Sequence, residues 1–288
     1  MPTTQIKIIE APRDAMQGIH EFIPTEKKTE YINSLLKVGF DTIDFGSFVS
    51  PKAIPQLKDT VEVLEKLVLK DTKTKLLAIV GNIRGAEDAV KYEKITYIGF
   101  PFSISEIFLE RNIKSDIQSS LKQTEEIVRI CKENNKIPVV YISMAFGNPY
   151  GETWNAELVE KYAKLLFERG AKIIALSDTV GKAKEEDIRN IFSTLIPKFP
   201  EVEFGLHLHT SPDNWKERLE AAYSAGCRRF DSAILGLGGC PMADDKLVGN
   251  LSTNNLLQFL ENKGITTGIN EEHFKIANQI AITTFPSN

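Results

Sequence analysis

Apolar residues along the chain keep two alternating rhythms. Short runs rich in Val, Ile, Leu and Phe predict eight strands, over 5–10 (QIKIIE), 41–45 (DTIDF), 75–80 (KLLAIV), 95–100 (ITYIGF), 137–143 (IPVVYIS), 172–177 (KIIALS), 202–208 (VEFGLHL) and 228–232 (RRFDS). Between them the spacing turns helical: in 154–169, apolar or aromatic residues stand at 154, 158, 162, 165 and 166. The same reading predicts helices over 26–38, 59–67, 115–134, 185–195 and 214–225, with a short one at 84–92. Three units share a device, a Gly at a helix end just before the next strand, in KVGFDTIDF, ERGAKIIAL and SAGCRRFDS.

Eight strands alternating with helices predict an α/β fold, a (β/α)₈ TIM barrel. No Pro/Gly/Ser-rich linker splits the chain, so 1–288 reads as a single domain, the barrel occupying about 5–250. Two further helices, near 253–262 and 271–282, exceed the minimal barrel and form a C-terminal extension over about 251–288. A doubly wound open sheet is the structural alternative. Its dinucleotide-binding version is disfavoured, because no GxGxxG lies between the first strand and its helix.

Composition narrows the partners. At 42% hydrophobic and 26% charged, the chain has the make-up of a soluble globular protein. A net charge of −4 without any basic run argues against nucleic acid. No stretch approaches the ~18 uninterrupted apolar residues of a membrane span, and MPTTQIKIIE lacks the pattern of a signal peptide. The three cysteines, Cys131, Cys227 and Cys240, are irregularly spaced and read as free thiols in a reducing compartment. A cytoplasmic protein is expected.

Candidate chemistry gathers where a barrel enzyme keeps it, at the C-terminal ends of the strands. Strand one runs into Arg13 and Asp14, strand two into Asp44 and Ser47, strand five into Ser143, and strand six into Asp178. Strand seven carries His207 and His209, half of the chain's four histidines. On a strand, residues i and i+2 share a face about 6.5–7 Å apart, so these imidazoles project side by side. Two polar residues facing a barrel lumen would look the same. With Asp14, however, they form an N/O set suited to Mg²⁺ or Mn²⁺, and zinc or iron fit the same three groups. Arg13 beside such an ion would be a permanent positive charge for a developing oxyanion. After strand eight, Cys240 sits in LGLGGCPM, with Asn250 further on. A thiol there could serve acid–base chemistry or merely fill a turn.

Taken together, PRDAMQ, SFVSPKAIPQL, FSISEIFLERNI, SDTVG, HLH and GLGGCP followed by GNLST resemble the 3-hydroxy-3-methylglutaryl-CoA (HMG-CoA) lyases, within the wider family of barrel metallolyases. The resemblance runs from about residue 6 to residue 270, and SFVSPK and GLGGCP are its most specific parts. It implies a divalent cation and retro-Claisen cleavage of an acyl-CoA, giving acetyl-CoA and acetoacetate in the lyase itself. It further implies Asp14, His207, His209 and Asn250 as metal ligands and Arg13 as the residue that stabilises the enolate. Cys240, Asp178 and Asp44 are the remaining catalytic positions, and a homodimer is implied. Related alternatives are a barrel lyase or synthase for another acyl-CoA or 2-oxo acid, and a non-catalytic acyl-CoA-binding barrel.

This chain departs from the lyase pattern at several points. Ala15 replaces a Gly, Gly18-Ile19 replaces Asn-Glu, and Asp44 replaces Glu. Asn148 stands where the lyases commonly have Cys, and Thr210 where an acid or amide follows the second His. The segment from Cys240 to Asn250 is one residue longer than the lyase pattern. These changes are expected to cluster at the substrate pocket.

Overall fold

The computed structural model describes residues 5–239 and 248–285. Eight parallel strands close into a barrel in chain order, with the last pairing the first. They are β1 (Lys7–Glu10), β2 (Thr42–Ser47), β3 (Lys75–Ile79), β4 (Ile95–Ser103), β5 (Ile137–Ser143), β6 (Ile173–Asp178), β7 (Glu203–Leu208) and β8 (Arg229–Ser232). Each lies where the apolar runs predict a strand. The helices are α1 (Pro12–Gln17), α2 (Thr25–Leu35), α3 (Thr60–Lys66), α4 (Ile83–Ala89), α5 (Glu106–Ile113), α6 (Ile117–Glu133), α7 (Ala156–Glu168), α8 (Glu185–Lys198), α9 (Trp215–Ser224), α10 (Thr253–Asn262) and α11 (Glu271–Thr284).

Two helices, α1 and α5, are absent from the pattern-based prediction. Both are short helices, of six and eight residues, that precede the main helix of their unit, α2 and α6, and so add to the simple strand–helix alternation. Helix α1 also buries most of its length, Pro12 to Met16, so it has no polar face to alternate against. Longer helices show the period plainly. Helix α6 buries Ile117, Leu121, Thr124, Ile127 and Cys131, and the Asp116 side chain caps it by accepting from Ser119 N–H. The three helix-end glycines, Gly39, Gly170 and Gly226, all have φ between 91° and 101°, the left-handed region in which a side chain is strained.

Apolar packing forms two layers. One lies between the strands and the ring of helices; the other fills the lumen with Leu77, Ile79, Tyr97, Val139, Tyr141, Ile173 and Ala175. The lower lumen is ionic: Lys7 Nζ pairs with Glu203 at 2.5 Å, and Glu203 with the fully buried Arg229 at 3.1 Å. Gly205, beside Arg229 in the sheet register, makes room for it, since a Cβ there would fall 2.9 Å from Arg229 Cδ.

The C-terminal extension is tied to the barrel through Glu10, the last residue of β1. Its fully buried carboxyl accepts from Ile234 N–H at 2.8 Å and lies 2.6 Å from Thr253 Oγ1, which itself lies 2.9 Å from Ser232 Oγ. Burial pushes Glu10 up to about 8, against the opposing pull of the Thr253 and Ile234 hydrogen bonds. The folded protein therefore keeps a proton that the unfolded chain releases above about pH 4.5, its ordinary value. This stabilisation is complete below that pH and is lost as pH rises towards 8. Glu10→Gln retains the acceptor for Ile234 but cannot ionise. The melting-temperature advantage of wild type over this variant should shrink from pH 5 to pH 8; a constant difference would contradict a protonated Glu10.

A candidate metal centre and acyl-binding cavity

At the C-terminal mouth of the barrel a cavity of about 410 Å³ opens, with Arg13, Asp14, Tyr141, Ser177, His207 and His209 on its wall. Arg13 and Asp14 reach it from α1, which begins immediately after β1 with Pro12 in its first turn. Parallel-strand alternation delivers the histidines, as their spacing predicts. His207 Nε2 and His209 Nε2 stand 3.1 Å apart, and with one Asp14 oxygen they form a group of atoms all within 4.8 Å of one another.

The outer nitrogens explain why that geometry calls for a cation. His207 Nδ1 lies 3.2 Å from Asp231 Oδ2, and His209 Nδ1 lies 2.9 Å from Val248 O. Both partners are acceptors, so both Nδ1 atoms carry protons. In neutral rings the two Nε2 lone pairs would then face each other. A cation bound by both Nε2 atoms would remove the conflict. Without a metal, a proton on His207 does the same task. Burial works against that charge, but Asp231 overcomes it and raises His207 above its ordinary value. Burial and the adjacent His207 push His209 down to about 4. Burial would raise Asp14, but Arg13 and both histidines hold it well below the usual carboxylate range, ready as an anionic ligand. The donor set therefore fits a divalent cation.

Asn250 completes the cluster. Its side-chain amide donates to Asp14 Oδ2 and to Leu237 O, each at 2.8 Å. Gly238, at φ +99°, presses against the same spot: a Cβ there would lie 2.7 Å from Asn250 Nδ2 and from Asp14 O. That contact explains a glycine in the GLGG stretch. Cys240, the other residue expected from this loop, lies outside the described residues.

Arg13 is held as a fixed fork. Nε and Nη2 donate to Asp44 Oδ2 at 3.0 and 2.6 Å, while Nη1 donates to Asp14 Oδ1 at 2.7 Å and to Gln17 Oε1 at 2.9 Å. Among the described residues four of its five N–H bonds are thus engaged, leaving one on Nη2. Burial opposes the charge, but Asp44 and Asp14 keep the guanidinium above its ordinary value. Asp44, in place of the lyases' Glu, still reaches Arg13, but its Oδ1 has no partner among the described residues. Burial raises Asp44 to about 6 despite the arginine.

Asp178 is not brought to this group. Adjacent residues of β6 point oppositely, so Ser177 and Thr179 line the cavity while Asp178 turns away. Its carboxylate accepts from the N–H groups of Lys182 and Ala183 at 2.8 and 3.0 Å and faces Arg218 at 3.4 Å. It shapes the turn after β6. Burial pushes it up to about 6, against those amide bonds.

The departures from the lyase pattern are more dispersed than expected. Gly18 and Ile19 line the cavity, but Ala15, Asn148 and Thr210 do not. Asn148 shapes its own loop, accepting from Tyr150 N–H and Glu152 N–H and donating to Glu152 O. The segment 19–23 is fastened by Gln56, which accepts from Ile23 N–H and donates to Ile19 O and Glu21 O. Sequence reasoning did not single out Asp231, Gln17 or Tyr141. Strand parity could have marked Asp231 and Tyr141 as inward-facing, but cross-strand register is not readable from one sequence.

The HMGL-like family model matches residues 5–280. This chain belongs to the HMGL-like family. It is 34% identical over 268 residues to the cytoplasmic 3-hydroxy-3-methylglutaryl-CoA lyase of Danio rerio, covering 92% of this chain and 78% of that protein. To the hydroxymethylglutaryl-CoA lyase of Bacillus subtilis it is 31% identical over 261 residues, covering 91% and 86% respectively. Among solved structures, an HMG-CoA lyase from Acinetobacter baumannii in complex with coenzyme A and 3-methylmalate superimposes with a TM-score of 0.91. It is 29% identical and covers 99% of this chain and 92% of that one. The chain is a carbon–carbon lyase of a (β/α)₈ barrel family. Among the described residues no helix is long and apolar enough to cross a membrane.

Proposed function

We propose that this chain cleaves 3-hydroxy-3-methylglutaryl-CoA, or a close hydroxyacyl-CoA analogue, to acetyl-CoA and acetoacetate. The observation that carries the reading is the pair of imidazole Nε2 atoms 3.1 Å apart, beside an Asp14 carboxylate that Arg13 holds in place. Asp14, His207, His209 and Asn250 would hold Mg²⁺ or Mn²⁺, which when bound would supply Lewis acidity towards the substrate's oxygen atoms. In the retro-Claisen step the tertiary hydroxyl loses its proton, the bond between C2 and C3 breaks, and its electrons pass into the thioester enolate. Arg13, rigidly held by Asp44, offers its remaining N–H and fixed charge to the enolate oxygen. The Cys240 thiol gives its proton to the enolate carbon, and the resulting thiolate regains through solvent the proton that the hydroxyl lost, so proton loss and gain balance. Asp178 acts indirectly, through the turn after β6. The whole chain works as one barrel domain, as a cytoplasmic homodimer.

A second reading, a lyase or synthase for another acyl-CoA or 2-oxo acid, draws support from Gly18 and Ile19 on the cavity wall. Acetoacetate release should be followed with HMG-CoA and with a panel of other hydroxyacyl-CoA thioesters under Mg²⁺ or Mn²⁺. HMG-CoA should be the substrate with the highest kcat/KM, and Cys240→Ser should abolish its turnover. Negligible cleavage of HMG-CoA beside efficient cleavage of a panel member would replace the first reading with the second.

A further inference from the structure

We propose that Asp231 is a positioning residue for the metal centre: it fixes the protonated nitrogen of His207 and so aims the Nε2 lone pair at the ion. The inference rests on reading Asp14, His207 and His209 as ligands. Asp231 and His207 are direct partners in the register of β8 and β7, so a one-methylene carboxylate spans the gap and places Oδ2 3.2 Å from Nδ1. The carboxylate oxygen is the acceptor of this pair, so the ring proton sits on Nδ1 and Nε2 is left to bind metal. Tyr141 packs edge-on to the same imidazole, with centroids 5.9 Å apart and planes at 86°, which fixes the ring's plane.

Among the described residues, the Asp231 side chain makes no hydrogen bond to the fold beyond the one to His207, and it is 3% exposed. Arg229 lies two residues away on the same lumen face, yet its Nη1 goes to Glu203 and its Nε and Nη2 engage no partner among the described residues. Asp231 therefore makes no hydrogen bond to Arg229, although, against the effect of burial, its charge is the leading attraction that keeps that guanidinium protonated. A buried carboxylate is costly unless something requires it, and here the histidine nitrogen does. His209 gains the same orientation from a backbone carbonyl, that of Val248, which no side-chain substitution removes.

The test uses full-length protein labelled with ¹⁵N-histidine, together with Mn²⁺ titration followed by electron paramagnetic resonance. In wild type, His207 should carry its proton on Nδ1 in both metal-free and Mg²⁺-loaded protein. Asp231→Leu should mix the His207 tautomers and weaken Mn²⁺ binding by about 10–100-fold, the usual effect of losing an outer-shell partner. Asp231→Asn keeps an acceptor and should restore most of the affinity. An unprotonated Nδ1 in wild type would overturn the proposal, as would unchanged Mn²⁺ affinity in a folded Asp231→Leu protein. If Asp231→Leu does not fold, the wild-type nitrogen spectrum and the Asp231→Asn affinity decide. Should wild type bind no Mn²⁺, the ligand reading fails, while the Nδ1 proton still reports on Asp231.

Discussion

Arg13→Met should lower kcat for acyl-CoA cleavage by at least about 10²–10³, the loss that follows removal of one preorganised oxyanion stabiliser. Arg13 is spent almost wholly on being held: Asp44, Asp14 and Gln17 take four of its N–H bonds. Such a charge does not have to reorganise as the enolate forms. Because the interaction strengthens only when negative charge develops, kcat should fall while KM changes little. Methionine keeps the apolar stem but leaves Asp44 and Asp14 buried without their partner, which typically destabilises by about 3–5 kcal/mol. Arg13→Lys is therefore the companion variant. It retains a charge and should fold better, but it lacks the planar fork that bridges both carboxylates, so kcat should stay low. A folded Arg13→Met protein that cleaves substrate within tenfold of wild type would remove Arg13 from the chemistry.

His209→Ala should abolish turnover and weaken Mn²⁺ binding by more than the ~10–100-fold brought by losing an outer-shell partner. His209 supplies one of three clustered ligand atoms, and its ring is otherwise bonded only to Val248 O among the described residues. The barrel has little else invested in it, since the strand pairing of β7 is a backbone matter. Far-ultraviolet circular dichroism should be unchanged and the melting temperature close to that of metal-free wild type. Metal affinity equal to wild type would dissolve the assignment of the histidine pair.

Much of this was legible in the sequence, for identifiable reasons. The strands were readable because parallel barrel strands are buried on both faces and appear as continuous apolar runs. His207 and His209 were readable as a pair because strand alternation is local. Asp14 could be joined to them because barrel topology brings the ends of β1 and β7 to one rim. What failed depended on non-local or very short features. Helix α1 is too buried to show a period. Asp178 looked catalytic from the company of SDT, yet the same alternation that faces the histidines inward turns it away from the cavity. Asp231 needed the β7–β8 register, in which His207 lies opposite it.

The substitutions read against the lyase pattern tell a similar story. Ala15 and Asn148 looked like pocket changes from sequence distance alone. Ala15 is buried 3% exposed under Gly238, and Asn148 is occupied with the backbone of its own loop. Asp44 is the departure that touches the chemistry directly, because it shortens the arm that steadies Arg13 and leaves one oxygen without a partner among the described residues. Specificity is therefore to be sought in Gly18, Ile19 and the Gln56-fastened wall beside them.

One divalent cation on Asp14, His207 and His209 should enable the cleavage. The most direct measurement titrates metal-free protein with Mn²⁺, recording bound ion and acetoacetate release from HMG-CoA on the same samples. Turnover rising in proportion to occupancy, saturating at one ion per chain and disappearing with EDTA, is the predicted result. Full turnover in EDTA, or undiminished Mn²⁺ binding after Asp14, His207 and His209 are all replaced by Ala, would contradict it.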